Sequence, residues 1–218
     1  VLRYGGDRTK LQRFEDYSYE WRDPQRHPDW LYLGVLGEKT WPLHHGILRY
    51  LKDNPQIKLA FQPGMYHLMW GVEKLKDFYG RSEVVVLNRE EAVTVTGGDH
   101  DDVHALLDKL HALGPRIVAV TDGPEGAYAS DGQDRLKMPL YPDPAPPLDR
   151  TGAGDAFAST FVAALAGGHD LESALLWAPI NSMAVCQKIG AQAGLLTRKQ
   201  LEHYLHDAPE NYRPRPMR

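Results

Sequence analysis

From Trp30 onward, short apolar runs of strand length alternate with stretches whose apolar residues recur every three or four positions. Trp30 to Leu36, Ile57 to Phe61, Glu83 to Leu87 and Arg116 to Val120 read as strands, the third built on the β-branched run Val84-Val85-Val86. Between them the spacing predicts helices over Trp41 to Lys52, Tyr66 to Tyr79 (weakened at Gly71) and about Glu90 to Val95. Another falls over Asp101 to Leu113, where Val103, Leu106, Leu107, Leu110 and Leu113 share one face. Gly126 to Ser130 and Leu136 to Leu140 form a hairpin through Asp131-Gly132. A proline-rich connector, Pro142 to Pro147, leads to a helix carrying Phe157, Phe161 and Leu165 and ended by Gly167-Gly168. Asp170 caps a long helix from Leu171 to about Lys188, and Thr197-Arg198-Lys199-Gln200 has the capping-box pattern that opens a last helix towards His206.

The front of the chain differs. Val1 to Trp21 reads as a β-hairpin turning at Gly5-Gly6-Asp7 and its extended continuation, ended by prolines at 24 and 28. Alternating strands and helices after it imply an α/β fold: a mainly parallel sheet with helices on both faces and right-handed crossovers. Functional loops in such sheets lie at the carboxyl ends of the strands. Gln62-Pro63-Gly64, Asn88-Arg89-Glu90-Glu91 and Thr121-Asp122-Gly123-Pro124-Glu125-Gly126 lie there.

Composition narrows the function classes. The 218 residues fit one large domain, or one with a small appendage, and a hydrophobic share of 42% is ordinary for a globular chain. A net charge of -4 gives no electrostatic case for nucleic acid or an anionic membrane. No apolar run is long enough to span a bilayer and no signal peptide is visible. The single cysteine, Cys186, excludes an internal disulfide framework and fits a reducing cytosol; its apolar helical setting reads as a buried, inert thiol. The basic tail from Arg213 to Arg218 reads as a solvated end.

The stretch with most chemistry is Asp149-Arg150-Thr151-Gly152-Ala153-Gly154-Asp155-Ala156-Phe157-Ala158-Ser159-Thr160. It is a glycine-rich turn feeding the N-terminus of a buried helix, where unpaired N–H groups and the helix dipole attract anions. Asp155 at the mouth of that hole suits a general base taking a proton from a hydroxyl beside developing phosphate charge. It equally suits an ordinary N-cap, and the turn alone leaves the two readings about even. Asn88 and Glu91 could likewise do no more than complement a helix dipole, and residues 121–126 could be a plain turn. His100 and His104 stand at a metal-ligand spacing but read as a solvated helix face. His44 and His45 are adjacent, diverge on a helix, and carry no catalytic weight.

Taken together, the strings resemble the ribokinase-like (PfkB) family of carbohydrate and nucleoside kinases. The 149–160 string is similar to its C-terminal Asp-Thr-x-Gly-Ala-Gly-Asp signature, with Arg150 in place of the common small residue. Residues 88–91 are similar to its Asn-x-x-Glu motif, and 121–126 to its Thr-x-Gly-x-x-Gly nucleotide loop. The resemblance runs from about Trp30 to Leu196, in the family's order. It implies a three-layer α/β/α ribokinase-like fold and ATP-dependent phosphotransfer to a sugar or nucleoside hydroxyl. Asp155 would be the base, and the amides of Ala153, Gly154 and Asp155, following Gly152, the anion hole. Asn88 and Glu91 would serve Mg²⁺, mainly through water. Thr121, Gly123 and Gly126 would approach the nucleotide phosphates, with Asn181 and Gly190 bordering the adenine.

The front does not match. Family members open with a substrate-binding strand and a Gly-Gly motif, and Gly5-Gly6 sits in a hairpin turn instead. Residues 1–22 therefore read as the remnant of a small β lid, and 23–218 as the nucleotide-binding core. The chain begins without Met and reads as a cleaved or incomplete form. A non-catalytic assembly or regulatory subunit and a piece of an active kinase stand as alternatives. Substrate identity, dependence on a monovalent cation such as K⁺, and a homodimer built through the lid lie beyond these residues.

Overall fold

The computed structural model describes residues 17–217, together with the backbone of residues 2–4 and 7–9. Leu2–Tyr4 (β1) and Asp7–Thr9 (β2) pair antiparallel in the register of a tight hairpin; the expected turn residues Gly5 and Gly6 lie outside the described residues.

The centre of the molecule is a seven-stranded sheet whose spatial order equals its chain order. Four parallel strands come first: Trp30–Leu33 (β3), Lys58–Phe61 (β4), Ser82–Asn88 (β5) and Ile117–Thr121 (β6). Ala127–Ser130 (β7), Arg135–Met138 (β8) and Arg215–Pro216 (β9) continue the sheet antiparallel. Strand β9 corrects the sequence reading. The tail expected to be merely solvated pairs with β8, and its proline is tolerated because it lies on an edge strand.

The helices cover both faces. Trp41–Asp53 (α1), Met65–Trp70 (α2), Val72–Arg81 (α3), Arg89–Thr96 (α4) and Val103–Ala112 (α5) follow the parallel strands. Ala153–Ala166 (α6), Leu171–Cys186 (α7) and Arg198–His206 (α8) come after the hairpin. One helix was expected over Tyr66 to Tyr79; Gly71, at φ +80°, divides it into α2 and α3. Alternation along the strands builds two cores. Val84, Val86, Ile117 and Ala119 face α6 and α7 through Phe157, Phe161 and Leu175. Val85, Leu87, Val118 and Val120 face the other layer through Leu51, Phe78, Leu107 and Leu110. A strand buried on both faces needs an unbroken apolar run, which is why β5 and β6 read as continuous valine-rich stretches.

Among the described residues no helix is long and apolar enough to cross a membrane. Cys186 is free and buried, and burial pushes its thiol up, as expected of an inert thiol. His44 and His45 do diverge, the first buried and the second exposed.

Candidate active site

The parallel register brings the motifs to one rim. Asn88, the last residue of β5, pairs directly with Thr121, the last of β6. Both following loops therefore start at the same level of the sheet. A partly buried ion pair ties them: the Arg89 guanidinium donates to Asp122 Oδ2 at 2.6 Å and to the His100 carbonyl at 2.7 Å. Sequence reading gave Arg89 no role, because its partner lies 33 residues away.

Helix α6 begins at Ala153, with Gly152 as N-cap. Asp155 is therefore in the first turn, not at the cap. Gly152 has φ +85°, and a Cβ there would lie 2.7 Å from the Ala191 carbonyl oxygen, so only glycine fits. Below the turn, buried Asp149 accepts from the N–H of Thr151 at 2.7 Å and of Gly190 at 3.3 Å. Gly190 thus fastens the glycine turn from beneath. The Ala153 N–H has a long bond to the Arg150 carbonyl, 3.4 Å, and the first full helical bond runs from Ala156 to Gly152 at 2.8 Å. Among the described residues the intervening Gly154 and Asp155 N–H groups have no protein acceptor. Of the three amides expected to form the hole, two are thus fully open to an anion.

A cavity of about 110 Å³ is lined by Thr121, Gly123 and Gly126 from one loop and by Ala153 and Gly154 from the other. A Cβ on Gly154 would meet nothing within 4 Å. Gly126, at φ +95°, lets the backbone pass Met138, whose carbonyl oxygen would lie 2.1 Å from a Cβ. Helix α7 meets this cavity through Pro179 and Ser182. Asn181 is not among the residues lining this cavity. Its amide donates to Thr160 Oγ1 at 2.7 Å and accepts from the Leu196 N–H at 2.9 Å, and it lines a separate cavity with Trp177 and Arg198. Helical periodicity explains the difference: residues 179 and 182 share a face that 181 does not.

Asn88 and Glu91 form a reciprocal capping box on α4. Asn88 Oδ1 accepts from the Glu91 N–H at 2.8 Å, and Glu91 Oε2 accepts from the Asn88 N–H at 2.9 Å. Even so, burial pushes the Glu91 carboxyl up against the pull of the Asn88 N–H, and the charges of Glu90 and Asp155 push it further. Carboxylates 91 and 155 thus feel each other in a partly desolvated place. A divalent cation there would relieve that repulsion, and carboxylate and amide oxygens are the donors Mg²⁺ takes. His100 and His104 are arranged differently. His100 bonds to Asp101, His104 lies 3.2 Å from an Arg135 nitrogen, and among the described residues no cluster of three metal-ligating side chains occurs.

Asp155 itself is held by a residue with no expected role. Gln62 Nε2 donates to Asp155 Oδ1 at 3.0 Å, and the Tyr32 hydroxyl donates to Gln62 Oε1. The 62–64 loop was legible as a rim loop, but its reach to α6 was not.

Comparison with known proteins identifies the fold and the family. The chain superimposes on a nucleoside kinase of the ribokinase family from Methanocaldococcus jannaschii with a TM-score of 0.68, at 19% identity over 85% of this chain and 58% of that one. A ribokinase II from E. coli in complex with ATP and Mg²⁺ gives 0.66, at 18% identity over 76% and 53%. The fold is therefore ribokinase-like. Residues 50–198 match the pfkB family carbohydrate kinase description, and the chain belongs to that family. The ribokinase of Bacillus subtilis is 41% identical over 95 residues, which cover 43% of this chain and 31% of that protein. The matched stretch thus spans less than half of that relative.

Proposed function

We propose that this chain carries the nucleotide site and the base of an ATP-dependent kinase acting on a hydroxyl of a sugar or nucleoside. The observation that carries this reading is the convergence of Thr121, Gly123 and Gly126 with Ala153 and Gly154 around one cavity, at the end of a helix bearing Asp155. The open N–H groups of Gly154 and Asp155 meet the charge of the phosphoryl group in flight. Asp155 accepts the proton of the attacking hydroxyl as its oxygen bonds to the γ-phosphorus and the β–γ bridging bond breaks. Glu91 and Asn88 would hold Mg²⁺, which neutralises phosphate charge when bound. Relatives and fold neighbours named for ribokinase and nucleoside kinase activity support the acceptor class.

Finer points belong to the same proposal. We keep residues 1–22 as part of a lid, 23–218 as the core, and a cytosolic setting. A monovalent cation would take the place beside buried Thr151 Oγ1, which has no hydrogen-bond partner among the described residues.

Calorimetric titration of ATP with Mg²⁺ into the chain and into Asp155→Asn tests the site. Binding is expected in both. Turnover of a panel of sugars and nucleosides is expected to fall at least ~10³-fold in Asp155→Asn, and repeating the panel in K⁺ and in tetramethylammonium reads the cation. No binding to a folded chain would sink the reading.

A further inference from the structure

We propose that Gln62 is a positioning residue for the base, bridging β4 to α6 and fixing the Asp155 carboxylate so that Oδ2 receives the acceptor's proton. This inference rests on the proposed kinase function.

The chemistry of the three groups fixes their orientation. A carboxylate only accepts, so the Gln62 amide must turn its nitrogen to Asp155. Its carbonyl oxygen then faces the Tyr32 hydroxyl, which donates to it. A phenol keeps its proton at neutral pH, so the Tyr32 hydroxyl is available as that donor. With Oδ1 held, Asp155 presents Oδ2 to solvent and substrate. Without Gln62, an exposed aspartate on a first helical turn has several rotamers of similar energy.

The platform beneath Gln62 is rigid. Its N–H donates to the Leu33 carbonyl at 2.9 Å, prolonging the β3–β4 ladder. Pro63 is buried, and a Cβ on Gly64 would lie 2.7 Å from Val35 Cβ. The Gly64 N–H donates to His67 Nδ1 at 3.2 Å. Neutral His67 therefore carries its hydrogen on Nε2 and donates to His44 Nε2 at 2.8 Å. The hydrogen of His44 then sits on Nδ1 and goes to the Thr40 carbonyl at 2.8 Å. Each donor has one acceptor along the whole relay, which fastens the loop to α1. Positioning from a rigid strand end matters because a misplacement of about 1 Å can cost on the order of 100-fold in rate.

Steady-state kinetics on the chain, with an acceptor that the wild type turns over, tests the idea. Gln62→Leu and Gln62→Glu are expected to lower kcat roughly 10- to 100-fold, with KM for ATP within about twofold of wild type. Gln62→Glu is close in shape, so a role in packing alone would leave it near wild type. Tyr32→Phe is expected to lose less, and the Tyr32→Phe/Gln62→Leu double variant to be no slower than Gln62→Leu alone. Rates of Gln62→Glu and Gln62→Leu near wild type, or losses that multiply in the double variant, overturn the inference. If Gln62→Leu fails to bind Mg²⁺-ATP or to melt cooperatively, Gln62→Glu and Tyr32→Phe carry the test. Wild-type turnover that Asp155→Asn leaves intact, or no turnover of any acceptor, overturns the kinase reading and this inference with it. A dead Asp155→Asn beside fully active Gln62 variants overturns this inference alone.

Discussion

Gly152 shows how a single position governs the site. Its positive φ and its contact with Ala191 are both met only without a Cβ. Gly152→Ala combines left-handed strain with a clash against backbone, and the cost is expected to be about 2–4 kcal/mol in urea unfolding, with Mg²⁺-ATP binding weakened more than tenfold. Gly154→Ala is the natural control, because nothing in the protein opposes its Cβ. Equal stability loss in the two variants would contradict the geometry. This glycine turn was the most legible part of the sequence, since φ and close approach are local demands that a glycine records. Asn181 was not legible in the same way. The family resemblance marks it for the adenine, whereas its partners Thr160 and Leu196 follow from helix phase, which packing against α6 sets.

Among elements, the loops after β5 and β6 start side by side, with Asn88 paired to Thr121, and the motifs they carry need a fixed separation. Arg89 and Asp122 supply that spacing from largely buried positions. Removing one partner strands the other, which costs about 3–5 kcal/mol for a fully buried pair and less at a rim. Arg89→Met is expected to be destabilised by roughly 2 kcal/mol, and Arg89→Met/Asp122→Leu by less than Arg89→Met alone. Denaturant unfolding of both variants reads the difference; a double variant weaker than the single would remove the pair from this role. The elements themselves were mostly visible as apolar periodicity. Two were misread: the helix that Gly71 divides and the tail that becomes β9. The first break is local, a glycine at positive φ; in the second a tertiary neighbour overrode a weak local signal, since β9 has only β8 to define it.

At the scale of the whole molecule, the buried imidazole relay makes stability depend on pH. Burial and the neighbouring His44 lower His67 from 6.5 to about 4, and burial lowers His44 as well. Between those limits the unfolded chain binds more protons than the folded one. The contribution is therefore complete above pH 6.5 and lost as pH falls through about 4, reaching on the order of 3 kcal/mol for His67. Thermal melts are expected to drop in midpoint from pH 7 to pH 4.5, and His67→Gln, which does not titrate there, to show a flatter profile from a lower starting point. Parallel profiles for the two proteins would exclude His67 as the source.

The sequence by itself determined the alternation of strands and helices, the turn that only glycine can make, and the presence of three motif loops at strand ends. These are local properties: periodicity, backbone freedom and capping are written in neighbouring residues. The tertiary structure alone decided which side chains meet. Gln62 reaches Asp155 across 93 residues, Arg89 reaches Asp122 across 33, and His44 meets His67 inside an apolar layer. Contacts of that kind follow from the register of a parallel sheet and the phase of the helices packed on it, and a linear pattern of residues specifies neither.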